Sequence, residues 1–303
     1  MSSPPHSSLL DWTADSVGQS AGDHLAAFRS LILVHWAVQS WSWMIADISV
    51  PIAVGPLGFG VFAVVFTVCF LLSLTRRGLI ACRVAAPVAF LIVAGSFPFT
   101  ANHTYLAAWL LFLFAVLDIG APDEEGLALR AMRWMAVIIF FWAGVQKFSY
   151  GMYFRGEFLA WMIAHAGDRW SDVFGWLLPE AELDRLRGYP RYMIGGGPYR
   201  VASLPFLLVA NSVWIGEITL AAGMLWRRTR EWAALAAIAL TLTIQLAPRE
   251  YMFALLYTQL LLLFVRGSWN RRLFWPFVLA YVYLLSVVLG APGDFLLKSS
   301  GDL

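Results

Sequence analysis

The chain has 303 residues, of which 60% are hydrophobic and only 13% are charged, and its formal net charge is +2 at pH 7. Soluble globular domains carry about 25% charged residues, so the composition excludes an ordinary soluble domain and predicts an all-α membrane protein. The small net charge argues against a nucleic-acid partner. The two cysteines, Cys69 and Cys82, have the spacing of neither a metal site nor a disulfide framework.

The first 24 residues are polar and lack the apolar core of a signal peptide. We interpret residues 1–24 as an N-terminal leader on the cytoplasmic side. Residues 25–290 are predicted to form a single transmembrane domain, and residues 291–303 a short C-terminal tail.

Apolar runs of about 17–25 residues, the length that crosses a bilayer core, recur throughout the predicted domain. They predict a polytopic helical bundle of about nine transmembrane helices. The predicted spans are 25–46, 57–75, 80–97, 103–118, 131–149, 204–226, 231–247, 251–265 and 272–290. Eight spans are the alternative, because only a short segment separates the third span from the fourth.

The arginines predict the orientation of these spans, because loops rich in Lys and Arg stay in the cytoplasm. Every second loop is rich in arginine, whereas the loops between them contain almost none. The arginines that define the cytoplasmic side are Arg76, Arg77, Arg83, Arg130, Arg133, Arg227, Arg228, Arg230, Arg266, Arg271 and Arg272. We therefore expect the N-terminus inside and the C-terminus outside.

One long stretch, residues 150–203, contains no predicted span and falls on the outer side. Its first part reads YFRGEFLAWMIAHAG. The residues that share one face at helical spacing are Phe154, Phe158, Met162 and His165. We predict a helical segment that lies in the outer interface or covers the bundle from outside.

Lys147 is one of only two lysines in the chain and lies near the outer end of the fifth span, in FFWAGVQKFSYG. In one interpretation its ammonium group reaches from the helix end to water, where the last carbonyls also favour a cation. In the other, Lys147 is buried, and desolvation leaves a neutral amine that takes a proton from a weak acid such as a phenol. Ala143 and Gly144, one turn earlier, are small enough to admit a flat ligand or a close helix.

Five further polar residues lie where an apolar bundle offers few partners. Asn102 and His103 begin the fourth span at the outer surface, where His103 either caps the helix with Asn102 or orients a ligand oxygen. Glu217, deeper and near the middle of the sixth span, either belongs to a site or is a protonated carboxyl that holds helices together. Gln146, beside the lysine, and Gln245, at the outer end of the seventh span, are candidates for orienting a ligand.

Three segments resemble motifs of a known family. FWAGVQKFSYGMYFRGEFL is similar to the A-G-x-x-K segment of the vitamin K-dependent γ-carboxylase membrane domain. TANHTYLAAWLL is similar to the N-H-[ST]-Y-L segment of that family, and AAFRSLILVHW resembles the opening of the wider HTTM (horizontally transferred transmembrane) group of bacterial proteins. The segments occur in the family's order, and the resemblance covers residues 20–290.

The resemblance implies the carboxylase membrane fold and a lysine base, Lys147, that deprotonates a reduced quinone of the vitamin K type with the help of His103. In the family, oxygen then converts the quinol into a strong base, which removes a proton from a peptide glutamate before carbon dioxide adds. The residues that we expect to orient the ligand are Asn102, Gln146, Glu217 and Gln245, the last of which stands where the family often has histidine. No metal is implied.

The chain ends soon after the ninth span, as in stand-alone HTTM proteins, including those that mature a secreted peptide toxin, whereas the carboxylases carry a large extramembrane region. We therefore expect a bacterial inner-membrane enzyme of lyase or ligase type that modifies or matures a peptide near the outer face. Its expected partners are membrane lipid, the peptide and a soluble or secreted protein. The alternative is a non-enzymatic membrane partner, such as a peptide-export or immunity subunit or a binder of lipid or quinone.

Overall fold

The regular secondary structure is helical throughout the residues that the computed structural model describes, which are 20–45, 55–97 and 102–292. Thirteen α-helices lie within these ranges, and short 3-10 turns follow or connect several of them. The helices are α1 (Ser20–Ile45), α2 (Gly55–Ser73), α3 (Gly78–Ser96), α4 (Asn102–Val116), α5 (Pro122–Ser149), α6 (Glu157–His165), α7 (Asp168–Phe174), α8 (Glu180–Arg187), α9 (Leu204–Leu225), α10 (Arg230–Ile244), α11 (Tyr251–Leu261), α12 (Trp269–Arg272) and α13 (Phe274–Val288).

Three of these helices are long and apolar enough to cross a membrane: α3, α5 from Asp123 onward, and α9. Shorter apolar helices occupy Leu57–Ser73, Asn102–Val116, Tyr251–Phe264 and Phe274–Val288. The predicted all-helical class is therefore confirmed for the described residues, and their length and composition fit a membrane protein. Nine spans and their orientation stay predictions.

Two helices begin earlier than hydropathy predicts. α1 begins at Ser20, so the end of the predicted leader is helical, whereas residues 1–19 lie outside the described residues. α5 begins at Pro122 instead of near 131. Proline suits the first turn of a helix, and the three acidic residues that follow it interact favourably with the helix dipole. These polar residues extend the helix without adding to an apolar run, so hydropathy placed the start of the helix too late.

The described helices form two compact units. Unit 1 contains α1 to α4, the part of α5 up to Trp134, and the helices that follow Glu250. Unit 2, Met135–Arg249, contains the rest of α5 and α6 to α10. Of the predicted tail, 291–303, only the first two residues are described.

α1 lies at the centre of unit 1 and contacts α2, α3, α4, α11, α12 and α13. Aromatic packing fixes two of these contacts. The Trp36 ring stacks on Phe66 with 5.2 Å between the ring centroids, and Phe28 meets Phe114 edge to face at 5.9 Å. Because α1 is surrounded, its residues from Leu31 to Ser40 are all buried.

In unit 2, the segment between α5 and α9 has a hydrophobic core of its own. The buried residues of this core are Ala160, Ile163, Leu177, Leu178, Leu186, Tyr199, Val201 and Phe206. Phe206 belongs to the first turn of α9, so the segment packs directly on that helix. The predicted helical character of residues 150–203 is confirmed, whereas its position at a membrane face stays a prediction.

The first helix of this segment is shorter than predicted. α6 begins at Glu157, after Gly156 in the left-handed conformation at φ 73°. Phe154 therefore lies in the turn before the helix and does not share a helical face with Phe158, Met162 and His165. A left-handed glycine interrupts the helical backbone, and the spacing of apolar residues alone does not reveal that interruption.

Candidate functional site

The amine of Lys147 and the carboxylate of Glu217 form an ion pair within unit 2. The Lys147 Nζ atom lies 2.7 Å from Oε1 and 2.8 Å from Oε2 of Glu217. Glu217 is 7% exposed, and the side chain of Lys147 is 23% exposed. Since a carboxylate and an ammonium group away from water each lose hydration, pairing through both oxygens is what makes their burial tolerable.

A close contact between α5 and α9 brings the two charges together. A Cβ atom on Gly144 would lie 2.7 Å from Cγ1 of Ile218 and 2.9 Å from the carbonyl oxygen of Trp214. Only glycine leaves room for this approach. Lys147 lies one turn after Gly144, and Glu217 one turn after Trp214, so both side chains leave their helices beside the crossing. The predicted role of Gly144 in admitting a close helix is confirmed.

Aromatic residues lie near the pair in the turn that follows α5 and on both helices. Lys147 Nζ lies 5.9 Å from the centre of the Tyr153 ring, within reach of a cation–π interaction. The Tyr153 ring stacks on Phe158 at 4.4 Å, and Phe148 packs on Trp214 at 5.0 Å. Lys147 and Glu217 are thus each other's polar partner, and the other groups named here are aromatic rings.

The phenol of Tyr153 is a titratable group in the turn that follows α5, and it interacts electrostatically with Glu217. Burial raises the pKa of Tyr153 to about 12, and the negative charge of Glu217 contributes to this rise. Tyr153 therefore stays protonated at neutral pH, and its ring is the part located beside the amine. The sequence analysis did not select Tyr153. Its closeness in the chain, six residues after Lys147, was the available signal.

Hydrogen bonds hold the turn in place against α9. The side-chain amide of Asn211 donates to the carbonyl oxygens of Phe154, at 3.0 Å, and Leu207, at 2.8 Å. The indole of Trp214 donates to Oδ1 of Asn211 at 2.6 Å. One asparagine thus links the turn that carries Tyr153 to the helix that carries Glu217.

A second buried carboxylate, Glu157, anchors the start of α6. Glu157 is fully buried and accepts hydrogen bonds from Arg155, at 3.0 and 3.3 Å, and from Arg200, at 3.1 Å. Burial alone would raise the pKa of Glu157, but the two guanidinium groups outweigh it and lower the pKa below its usual range. This clamp joins both ends of the segment between α5 and α9. Sequence reasoning missed it, since Arg200 is 43 residues away.

Of the residues predicted to orient a ligand, Glu217 contacts Lys147 directly. Glu217 lies near the middle of α9 and Lys147 near the end of α5, and the difference in membrane depth between them stays a prediction. Gln146 is exposed, because consecutive residues of a helix do not face the same side. Gln245 follows α10 and is buried. A ligand-orienting role for either glutamine stays a prediction.

The other predicted residues, Asn102 and His103, form the first turn of α4 in unit 1. Asn102 is the first helical residue of α4 and is exposed, and its capping role stays a prediction. The ring of His103 lies 5.7 Å from Phe253, and Phe253 packs on Tyr257 at 4.4 Å. A catalytic role for His103, and a joint site with Lys147, stay predictions.

Near the centre of unit 1, three buried side chains form a polar cluster that the sequence did not predict. His35 Nδ1 lies 3.2 Å from the Tyr281 hydroxyl, to which the amide of Gln259 donates at 3.2 Å. All three residues are fully buried. Nε2 of His35 and Oε1 of Gln259 have no hydrogen-bond partner among the described residues. The sequence signals that could have predicted this cluster were a histidine and a glutamine within apolar helices.

Within the described ranges, no group of three or more His, Cys, Asp and Glu residues is placed to hold a metal ion. Cys69 and Cys82 are free and buried.

No family model, curated protein or solved structure matches this chain. The resemblance to the HTTM group and to the γ-carboxylase membrane domain therefore stays a prediction. So do its consequences: the reduced quinone, the peptide substrate and the partner protein.

Proposed function

We propose that this chain is a multi-pass inner-membrane protein of the HTTM type that modifies or matures a peptide near the outer face. In this proposal about nine helices cross the membrane, with the N-terminus in the cytoplasm. The Lys147–Glu217 pair acts on a weakly acidic, quinol-like ligand. Three candidate spans and the family motifs support membrane residence, and the ion pair supports the chemistry.

The observation that carries the proposal is the ion pair in two of the three candidate spans. A lysine within a membrane span costs about 2.5–3.5 kcal/mol on insertion scales. Replacing a buried ion pair by apolar residues is often neutral or stabilising. A helix crossing that needed only packing would therefore gain nothing from Lys147 and Glu217, whereas proton chemistry needs both.

The geometry supports a two-step proton transfer. Lys147 passes one proton from Nζ to the carboxylate of Glu217, which breaks an N–H bond and forms an O–H bond. The neutral amine then takes the proton of a ligand hydroxyl and becomes an ammonium group again. The ligand leaves this step as an oxyanion beside the Lys147 ammonium, Glu217 is neutral, and the total charge is unchanged. General acid–base groups of this kind contribute about 10²–10⁴-fold in rate.

The rings beside the pair favour a flat ligand. Tyr153, Phe148 and Trp214 offer aromatic faces and edges within the same part of unit 2. Aromatic groups prefer offset or edge contacts with one another, so a quinol ring can pack here with one hydroxyl directed at the amine. The Tyr153 hydroxyl is a donor that can bind the oxyanion after proton transfer.

The experiment that tests this proposal uses the whole chain in lipid nanodiscs, supplied with reduced vitamin K or menaquinol, oxygen and bicarbonate. Mass spectrometry measures the quinone epoxide. We expect epoxide from the wild type and at least a 100-fold lower rate from Lys147→Ala and Glu217→Gln. Lys298→Ala, which removes the other lysine, serves as the matched control and should keep the wild-type rate. No epoxide from folded wild-type protein contradicts the proposal.

A non-enzymatic membrane partner is the second candidate, and one observation favours it. Both oxygens of Glu217 are already occupied by Lys147, as in a pair that only ties two helices together. Lys147→Arg separates the two functions, because arginine keeps the charge but does not give up its proton. Tolerance of Lys147→Arg in a peptide-maturation or immunity assay would favour the partner, whereas loss of activity in a folded variant would favour proton transfer.

A further inference from the structure

An open groove runs along the surface of unit 1 between α3 and α4. Its volume is about 470 Å³, and its wall is almost entirely apolar. The lining residues are Arg83, Ala86, Pro87, Phe90, Trp109, Phe112 and Ala115. α3 is one of the three helices long and apolar enough to cross a membrane, so this groove belongs to a surface that a bilayer can reach.

One end of the groove is aromatic. Phe90 meets Trp109 edge to face at 5.3 Å and Phe112 at 5.8 Å, and Trp109 meets Phe112 at 5.7 Å. Trp109 is 51% exposed and Phe112 is 39% exposed. Three rings in mutual edge-to-face contact form a rigid apolar surface, which suits a chain of methylene groups.

The other end of the groove carries a positive charge. Arg83 Nε donates to the carbonyl oxygen of Ala115 at 3.2 Å, which ties the guanidinium group to α4. The Nη atoms of Arg83 make no hydrogen bond within the described part of the chain, so they are available to an anion. Arg76 and Arg77 lie in the exposed turn just before α3 and do not line the groove.

The two ends are separated by the length of a lipid segment. Arg83 and Phe90 are seven residues apart on α3, which corresponds to about 10 Å along a helix. Ala86, Pro87 and Ala115 between them have small side chains, so the floor of the groove stays open. The groove has a cationic end, and a continuous apolar surface follows it. This arrangement matches a phosphate followed by an acyl chain. It does not match a polar, water-soluble ligand.

We propose that this groove binds one anionic glycerophospholipid. The phosphate lies on the guanidinium group of Arg83, and one acyl chain lies on the surface formed by Phe90, Trp109 and Phe112. An anionic headgroup is favoured over a zwitterionic one, because each Lys or Arg near a membrane surface contributes about 1 kcal/mol of attraction for anionic lipid. The proposal does not depend on the chemistry of Lys147.

Native mass spectrometry of the whole chain tests this site. The protein, in detergent, is mixed with phosphatidylglycerol or phosphatidylcholine that carry the same acyl chains, and the bound lipid is counted. We expect about fivefold tighter binding of phosphatidylglycerol, the ratio that about 1 kcal/mol produces. Equal binding of the two lipids overturns the proposal.

Two variants and one matched control locate the bound lipid. Arg83→Gln should lower phosphatidylglycerol binding about fivefold, whereas Arg76→Gln removes the same charge outside the groove and should change it by less than twofold. Ala115→Phe fills the groove and should weaken retention of both lipids, which a purely electrostatic surface effect would not do. Equal losses in Arg83→Gln and Arg76→Gln, with no effect of Ala115→Phe, would overturn the site. A gel-filtration profile like that of the wild type shows that each variant is folded.

Discussion

Gly144 on α5 faces the backbone of Trp214 on α9 so closely that even a methyl group at Gly144 would lie 2.9 Å from the Trp214 carbonyl oxygen. One turn further along each helix, Lys147 and Glu217 meet through both carboxylate oxygens. The glycine therefore sets the distance between the helices, and that distance sets the geometry of the ion pair. Changes to the crossing and changes to the charges should have related effects.

We expect Gly144→Ala to destabilise unit 2. The new methyl group would contact a backbone oxygen that cannot rotate away, and overpacking of this kind costs about 1–3 kcal/mol. Thermal unfolding in detergent measures the effect. Gly175→Ala is the matched control, because its Cβ atom would find its nearest neighbour, Cβ of Ser171, at an ordinary 3.7 Å. Equal unfolding temperatures for both variants would show that α5 and α9 have room to separate.

Removing one member of the ion pair should cost more than removing both. Lys147→Met leaves the carboxylate of Glu217 without its partner, and we expect a loss of about 1–3 kcal/mol in the free energy of unfolding. This is less than the 3–5 kcal/mol typical of a fully buried pair, because Lys147 is 23% exposed.

The double variant Lys147→Met with Glu217→Met should recover most of this loss, since no unpaired charge remains. Unfolding in mixed micelles supplies the four values of the cycle. Additive losses would mean that the two charges do not interact in the folded protein.

The clamp at Glu157 predicts that the segment between α5 and α9 weakens in acid. The folded-state pKa of Glu157 is lowered, so its contribution to stability is fully present above the ordinary glutamate pKa of about 4.3. It is lost as the pH falls through the lower folded-state pKa. The protection factors of the α6 amides, which compare hydrogen exchange with the intrinsic rate at each pH, should therefore be high at pH 7 and fall at the acid end.

Glu157→Gln provides the test of that cause. A glutamine cannot form ion pairs with Arg155 and Arg200, so the protection factors of α6 should be lower at pH 7 and should change less on acidification. If Glu157→Gln keeps the full pH dependence of α6 protection seen in the wild type, another group causes that dependence.

Tyr281→Phe should destabilise unit 1, because it removes the hydroxyl that His35 and Gln259 share. Two buried polar groups would then lose a partner, at about 1–3 kcal/mol for each group left unsatisfied. Tyr283→Phe, on the same helix, is the control. The Tyr283 hydroxyl donates to the carbonyl oxygen of Pro292 in an exposed position, so its loss should cost less than about 1 kcal/mol. Unfolding by heat compares the two variants, and similar losses would argue against the buried cluster.

The sequence by itself determined the helical class and selected the two charges that pair. Apolar runs of span length are a property of the linear chain, and they correctly indicate α3, α5 and α9. Lys147 and Glu217 were conspicuous for the same reason, since a charged residue in an apolar run is costly wherever the run packs. Even the small residue at Gly144 was visible as a place for close approach.

Only the tertiary structure decided which polar residues meet. Lys147 and Glu217 are 70 residues apart, and His35 and Tyr281 are 246 apart. Whether such residues touch depends on the angle, spacing and rotation of the helices that carry them. Those quantities come from the packing of many side chains at once, such as the contact of Gly144 with Trp214, and not from the periodicity of any single helix. A charged residue within an apolar run can therefore be recognised from the sequence around it, but its partner is determined by the fold.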